Sequence, residues 1–296
     1  MRFRSSKIIL TALVSVFVSV SACGGGSSAD WGDLPDHLNG AVVIYGDSRT
    51  GHEMHQWLVE GMASIGPQAV FHSGDLVTNG LLADQWLTFN NIVSVLPSGT
   101  PFYPALGNHE RESQLYFDNF ELPGNERWYS VHNIDGFNFI VLDTGSSLAP
   151  ATSSTPASPQ YQWLESELSS AVSASAYTIV TFHYPLYSTG QHGSDEKGVR
   201  DDLVQLFERY GVDAVFNGHD HDYERFTVAG IRYIVTGGGG APLRDQDRSH
   251  PDLALSEKYV KSYHFCLLYF DGEGKLQVEV WSDKVKLIDQ FEIINR

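Results

Sequence analysis

Disulfide bonds have almost nothing to work with in this chain. Its 296 residues include two cysteines, Cys23 and Cys266. Cys266 lies inside the apolar, strand-like run YHFCLLYF, where a thiol reads as a core residue. A disulfide-stapled scaffold is therefore excluded. Cations are scarce as well: 19 lysines and arginines stand against 36 aspartates and glutamates, for a formal charge of −17. Such a surface repels nucleic acid polymers rather than gripping them through a basic groove. Long apolar runs are also missing. IILTALVSVFVSV, at residues 8–20, falls short of the ~20 residues that a membrane-spanning helix needs. The glycine run Gly237–Gly240 lacks the Gly-Lys-Ser/Thr continuation of a phosphate-cradling loop and reads as a tight turn.

The short apolar run has a purpose of its own. Arg2, Arg4 and Lys7 precede it and the small residues SACGGGSS follow, the order of a secretory signal. VSAC resembles the bacterial lipobox, which implies cleavage after residue 22 and lipidation of Cys23. Gly24 behind the cysteine resembles lipoproteins sorted to the outer membrane. The expectation is an exported protein, anchored through lipidated Cys23 and facing the periplasm or the cell surface, with residues 23–38 as a flexible tether.

Beyond the tether, strand-like and helix-like stretches alternate, so the expected fold class is α/β. AVVIY (41–45), QAVFH (68–72) and PFYPAL (101–106) read as strands. Between them lie helical patterns with Met54, Trp57, Leu58, Met62 and Ile65, then Trp86, Phe89, Ile92 and Val93, on single faces. RWYSVHN and FNFIVLD, joined by Ile134-Asp135-Gly136, predict a hairpin. The Ser/Thr/Ala/Pro tract at 144–159 is a loop that ends in a helix start at Ser158-Pro159. A strand at 177–182, a helix stopping at Gly211, and strands at VDAVF, 223–228, 231–236, 262–270, 275–281 and 285–293 complete the chain. No internal repeat is present.

Five polar clusters each follow an apolar run: YGDSR with Asp47, HSGD with Asp75, GNHE with Asn108 and His109, TFHYP with His183, and NGHDH with His219 and His221. The carboxyl edge of an α/β sheet is where ligand sites form. Carboxylate, amide oxygen and neutral imidazole together suit a first-row ion such as zinc, manganese, iron or cobalt. No thiolate is offered. Glycines at 46, 74, 107 and 218 permit tight turns at these points.

The series GD–GD–GNHE–H–GHDH resembles the calcineurin-like metallophosphoesterase superfamily. QYQWLESEL, FHYPLYS, GHDHDYER and YIVTGGGGAPL are most similar to its purple-acid-phosphatase branch. The resemblance runs from about residue 41 to the C-terminus. It implies one metallophosphoesterase domain over 39–296, a four-layer αββα sandwich of two mixed sheets flanked by helices. It also implies two divalent or mixed-valence metal ions (iron, zinc or manganese), one held by Asp47, Asp75 and His221 and the other by Asp75, Asn108, His183 and His219. Asp75 would bridge them. The implied reaction is hydrolysis of a small phosphoester by water activated at that centre, phosphomonoesters leading and phosphodiesters or nucleotides next. His109 would assist the leaving oxygen, aligned by Glu110 or an aspartate, and His192 would contact substrate.

Two positions depart from the pattern. The residue two places after the first aspartate, commonly histidine, is Arg49, and the place of the branch's tyrosine is Thr78. Without a tyrosinate, the charge-transfer colour of the branch is not expected. The first metal position is one ligand short, to be completed by water or by His52 or His55, or else its ion binds weakly. Arg49 could instead hold a phosphate oxygen, because its planar fork suits that group. A non-catalytic phosphate-binding lipoprotein with a degraded first metal position is the rival reading.

Overall fold

The computed structural model describes residues 30–134, 136–145, 158–171 and 176–295. The signal segment, Cys23 and most of the tract at 144–159 lie outside the described residues. Two sheets form the centre. The first holds β1 (Val42–Tyr45), β2 (Ala69–His72) and β3 (Phe102–Pro104) in parallel, continued by antiparallel β11 (His264–Phe270), β12 (Leu276–Ser282) and β13 (Lys286–Ile293), in the order β13-β12-β11-β1-β2-β3. The second has the order β10-β8-β9-β7-β6-β5-β4. Its parallel middle is β5 (Phe137–Val141), β6 (Tyr177–Thr181), β7 (Ala214–Asn217) and β9 (Ile231–Thr236). Its antiparallel flanks are β4 (Tyr129–Ile134), β8 (Tyr223–Val228) and β10 (Ser256–Val260).

Every residue of β1, β2 and β7 is buried, as expected for strands covered on both faces. Between the sheets, Phe71 of β2 stacks on Phe139 of β5 with ring centroids 3.9 Å apart. On the outer face of the first sheet, α1 (His52–Ser64) and α2 (Ala83–Val93) supply Leu58, Met62, Trp86 and Phe89 to the larger core. On the outer face of the second, α4 (Pro159–Ala171) and α5 (Arg200–Tyr210) bring Leu164, Leu168, Leu203 and Phe207 against Ile140, Val180 and Val215. The expected four-layer αββα arrangement is the observed one. Gly211 ends α5 at φ 66°, its N–H on the Phe207 carbonyl, and the Ser158 hydroxyl accepts from Tyr161 N at the start of α4. α3 (Gln114–Asn119) and β10 are additions that periodicity did not signal.

The segment expected as a flexible tether is partly folded. Trp31 and Leu38 are buried; Trp31 donates its indole N–H to the Trp57 carbonyl at 2.8 Å and packs within 5.4 Å of Phe265. A buried tryptophan removes about 200 Å² from water and outweighs local polarity, so the domain edge lies earlier than residue 39.

His264 joins the sheets. Its Nδ1–H donates to the Ser262 carbonyl at 2.9 Å, and its Nε2 accepts from Thr236 Oγ1 of β9 at 3.0 Å. Burial lowers this imidazole to about 4. In the unfolded chain it returns to its ordinary value of about 6.5. Between those limits the unfolded state binds the extra proton, so stability is full above about 6.5 and falls as the pH falls towards 4. The loss traceable to this residue is about 3 kcal/mol. Denaturant midpoints taken from pH 7 to pH 4 are expected to drop more steeply for the native chain than for His264→Asn, and parallel curves would refute the assignment.

Candidate metal centre

The carboxyl ends of β1, β2 and β3 in one sheet abut those of β6 and β7 in the other, and each of the five clusters leaves its strand there. Three of the residues sit in the left-handed backbone region: Asp47 at φ 56°, Asp75 at φ 60° and His219 at φ 71°. That geometry costs a non-glycine residue about 1–3 kcal/mol unless the surroundings enforce it. Here the loops enforce one another. Asp47 N donates to the Gly74 carbonyl at 3.0 Å, Ala241 N to the Asp47 carbonyl at 2.8 Å, and His219 N to Asp47 Oδ2 at 2.9 Å. Two glycines make room: a Cβ on Gly218 would lie 2.3 Å from Asp47 Oδ2, and one on Gly107 would lie 2.3 Å from Asp75 Oδ1. The glycine run after β9 is a turn beneath this floor, with Gly239 N on the Gly46 carbonyl at 2.8 Å.

Proton positions decide what the cluster can hold. His183 commits Nδ1–H to the Ser73 carbonyl at 3.0 Å, leaving the lone pair of Nε2 exposed to its neighbours. His219 directs Nε2 at Glu196 Oε2, 2.7 Å away, so its proton is there and Nδ1 is bare. That Nδ1 lies 3.1 Å from His183 Nε2, which is also 3.0 Å from Asn108 Oδ1 and 3.5 Å from Asp75 Oδ1. Four electron-pair donors thus face one another with no proton between the imidazoles. Burial lowers the pKa of His183 and His219, keeping both rings neutral and able to ligate. This side fits a first-row cation.

The other side differs. His221 commits Nδ1–H to the Pro242 carbonyl at 2.8 Å, and burial lowers the ring to about 4. Its Nε2 is 3.6 Å from Asp47 Oδ1, a buried oxygen with no hydrogen-bond partner. Burial, then Asp75, push the Asp47 carboxyl up. Arg49 reaches across this side, donating Nε–H to Asp75 Oδ2 at 3.2 Å and Nη2–H to His221 Nε2 at 3.2 Å. Burial pushes the Asp75 carboxyl up as well, but its neighbours, the His109 N–H and the Arg49 guanidinium among them, hold the group low. Asp47, Asp75 and His183 each offer one ligand atom within 4.8 Å of the others.

All six expected ligands and all three expected catalytic residues converge here. His109 donates its backbone N–H to Asp75 Oδ1 at 3.0 Å and directs Nδ1 at the Thr78 carbonyl, 2.6 Å away, with Nε2 3.8 Å from Asp75 Oδ2. His192 lies at the exposed mouth, its ring centroid 4.0 Å from that of His219. The alignment of His109 by Glu110 is corrected: Glu110 is buried and accepts from Asp75 N, Leu76 N and Gly107 N at 2.9, 2.8 and 2.7 Å, so it shapes the Asp75 loop instead. Burial pushes that carboxyl up to about 8 against the pull of these N–H groups. His55 does not complete the first metal position. It is buried with its Nε2 on Tyr45 Oη at 2.9 Å and its ring stacked on Phe89, and burial lowers it to about 3. His52 lies in an open groove between α1 and α2 with Glu53, Gln56 and Thr88. Residues that sequence reasoning missed include Glu196, Tyr184, whose ring centroid is 4.5 Å from that of His219, and Lys197, 4.1 Å above the Tyr184 ring. The i,i+4 spacing of His192 and Glu196 was the available signal.

Fold and site together define a class: an αββα sandwich gathering oxygen and imidazole donors where two sheets abut, the metallophosphatase architecture. The model of the calcineurin-like phosphoesterase family matches residues 41–223, and the chain belongs to that family of phosphoesterase hydrolases. Purple acid phosphatase 18 of Arabidopsis thaliana is 33% identical over 163 residues, 51% of this chain and 37% of that protein. A nucleotide pyrophosphatase/phosphodiesterase of Hordeum vulgare is 27% identical over 271 residues, 76% of this chain and 71% of that protein. In fold, purple acid phosphatase PPD1 from yellow lupin (Lupinus luteus) seeds is similar with a TM-score of 0.72 at 23% identity, over 86% of this chain and 53% of that one. The chain spans about half the length of the purple acid phosphatases it matches.

Asp75 faces both sides of the cluster, one oxygen to each. Asp75→Asn is expected to weaken binding of manganese or zinc by about 100-fold or more, beyond the 10–100-fold typical of losing a supporting hydrogen bond. Titration calorimetry checks this alongside an unchanged far-ultraviolet spectrum, and retained affinity would refute the cluster as a metal centre.

Proposed function

We propose that the chain hydrolyses phosphate esters at this centre, phosphomonoesters before diesters. The observation that carries the proposal is the convergence of Asp75 Oδ1, Asn108 Oδ1, His183 Nε2 and His219 Nδ1 with no proton between the two rings. Asp75, Asn108, His183 and His219 would hold iron, zinc or manganese, with Asp47 and His221 as donors on the far side. When bound, such an ion polarises a phosphoryl oxygen and lowers the pKa of water.

The chain's own residues supply the remainder. Asn108, His192 and Glu196 are exposed above buried Asp47, Asp75, His183, His219 and His221, so a phosphoryl group approaching from solvent meets the donors edge-on. Arg49 and His192 flank that approach and offer N–H groups to phosphoryl oxygens. His109 has Nδ1–H committed to the Thr78 carbonyl. Its Nε2 is then the only ring nitrogen able to carry a proton to or from a leaving oxygen.

His109→Asn is expected to lower turnover of an alkyl phosphate by about 100-fold or more, within the range for general acid catalysis. Turnover of p-nitrophenyl phosphate, whose leaving group needs no proton, should fall much less. Equal losses on both substrates would remove His109 from the acid role. The function as a whole is tested by assaying purified protein with manganese, zinc or iron on p-nitrophenyl phosphate and its bis-ester. Bound metal without turnover of either would overturn the hydrolase and leave a phosphate-binding protein. The barley relative's name motivates nucleotide pyrophosphate and phosphodiester substrates as the second reading. Export and anchoring through lipidated Cys23 rest on the N-terminal sequence, and Cys23→Ser is expected to move the protein out of the membrane fraction.

A further inference from the structure

We infer that Arg49 replaces one of the two metal ions: the centre binds a single ion on the Asn108–His183–His219 side, and the guanidinium serves as the fixed cation on the Asp47–His221 side. The inference rests on the metal-centre reading above and departs from the pair of ions that the sequence resemblance implies.

Geometry carries it. With Nδ1–H given to the Pro242 carbonyl, His221 has one lone pair, on Nε2, and Arg49 Nη2 already donates to it at 3.2 Å. An ion would have to lie about 2.0–2.1 Å from that nitrogen, in the space the Nη2–H occupies. Asp75 is divided in the same way. Oδ2 accepts from Arg49 Nε at 3.2 Å, while Oδ1 accepts from His109 N and lies 3.5 Å from His183 Nε2. The Nε–H and one Nη2–H of the guanidinium are therefore directed at atoms that a first ion would need, which leaves its other N–H groups for a phosphoryl oxygen. Of the ligands expected on this side, Asp47 Oδ1 is left, buried and without a hydrogen-bond partner, and a single carboxylate oxygen does not hold a divalent ion against an adjacent guanidinium.

The arginine is also held in place at its backbone. Arg49 N donates to the Asp75 carbonyl at 3.3 Å, and its own carbonyl accepts from Gly51 N at 3.0 Å, across Thr50 at φ 74°. A guanidinium presents a rigid planar fork of N–H donors. Neither histidine expected as a substitute ligand restores a first ion, since His55 is bonded to Tyr45 and His52 lines a separate groove.

The test reads metal, not activity. Native protein is equilibrated with manganese, freed of loose ions by gel filtration and analysed by plasma mass spectrometry. The expected ratio is one ion per chain, with the six-line resonance of an isolated manganese ion. Arg49→Ala frees Asp75 Oδ2 and His221 Nε2 and is expected to bind two, with an exchange-coupled spectrum. His221→Ala in the otherwise native chain is expected to keep one, whereas His183→Ala falls to none. Two ions in the native chain, or a drop caused by His221→Ala, overturns the inference. An Arg49→Ala ratio that stays at one in folded protein also overturns it. A native ratio of zero would instead fail the metal-centre reading itself, while one ion without phosphoester turnover would fail only the proposed function.

Discussion

His183 Nε2 and His219 Nδ1 face each other across 3.1 Å while their protons are directed at the Ser73 carbonyl and the Glu196 carboxylate. Two lone pairs at that distance repel, and a metal ion held by both rings would relieve that repulsion. The protein tolerates the arrangement because each ring is held from behind. Packing and hydrogen bonds that have no chemical role keep the chemical atoms in an unfavourable apposition, a form of preorganisation that needs a rigid support.

That support is the junction of two sheets. Parallel strands from both sheets end at the same level, and their loops are tied to one another by backbone hydrogen bonds: Asp47 to Gly74, Gly239 to Gly46, and Gly218 to His183. The left-handed conformations of Asp47, Asp75 and His219 belong to this interlock. Glu110 adds a buried carboxylate that gathers the N–H groups of the Asp75 loop. Below the floor, His264 and Thr236 link the sheets through a neutral imidazole. At the mouth, the Glu196 carboxylate is engaged by His219 and Lys197, and Arg49 and His192 stand beside it as cation and N–H donor.

Much of this was legible in the chain because it follows from short-range pattern. Apolar runs such as VVIY and AVF announce strands buried on both faces, and YERFTV and IRYIVT stand where β8 and β9 do. The order of Asp, Asp, Asn-His, His and His-x-His clusters after such runs identifies the donor set. β10 was not legible. Its residues are only partly buried, and it forms through pairing with β8 more than through its own periodicity. Trp31 was hidden for a similar reason, since its neighbours are polar and the rings that cover it come from residues 57 and 265.

By itself the sequence determined which atoms could ligate and roughly where each would stand, because residue type and strand ends are local properties. Only the tertiary structure decided where the protons and the arginine go. Thr78 rather than Glu110 orients His109, His55 turns inward to Tyr45, and Arg49 bridges Asp75 and His221. Those outcomes depend on hydrogen-bond partners as much as 172 positions away in the chain, and such partners become neighbours only when the two sheets close on each other.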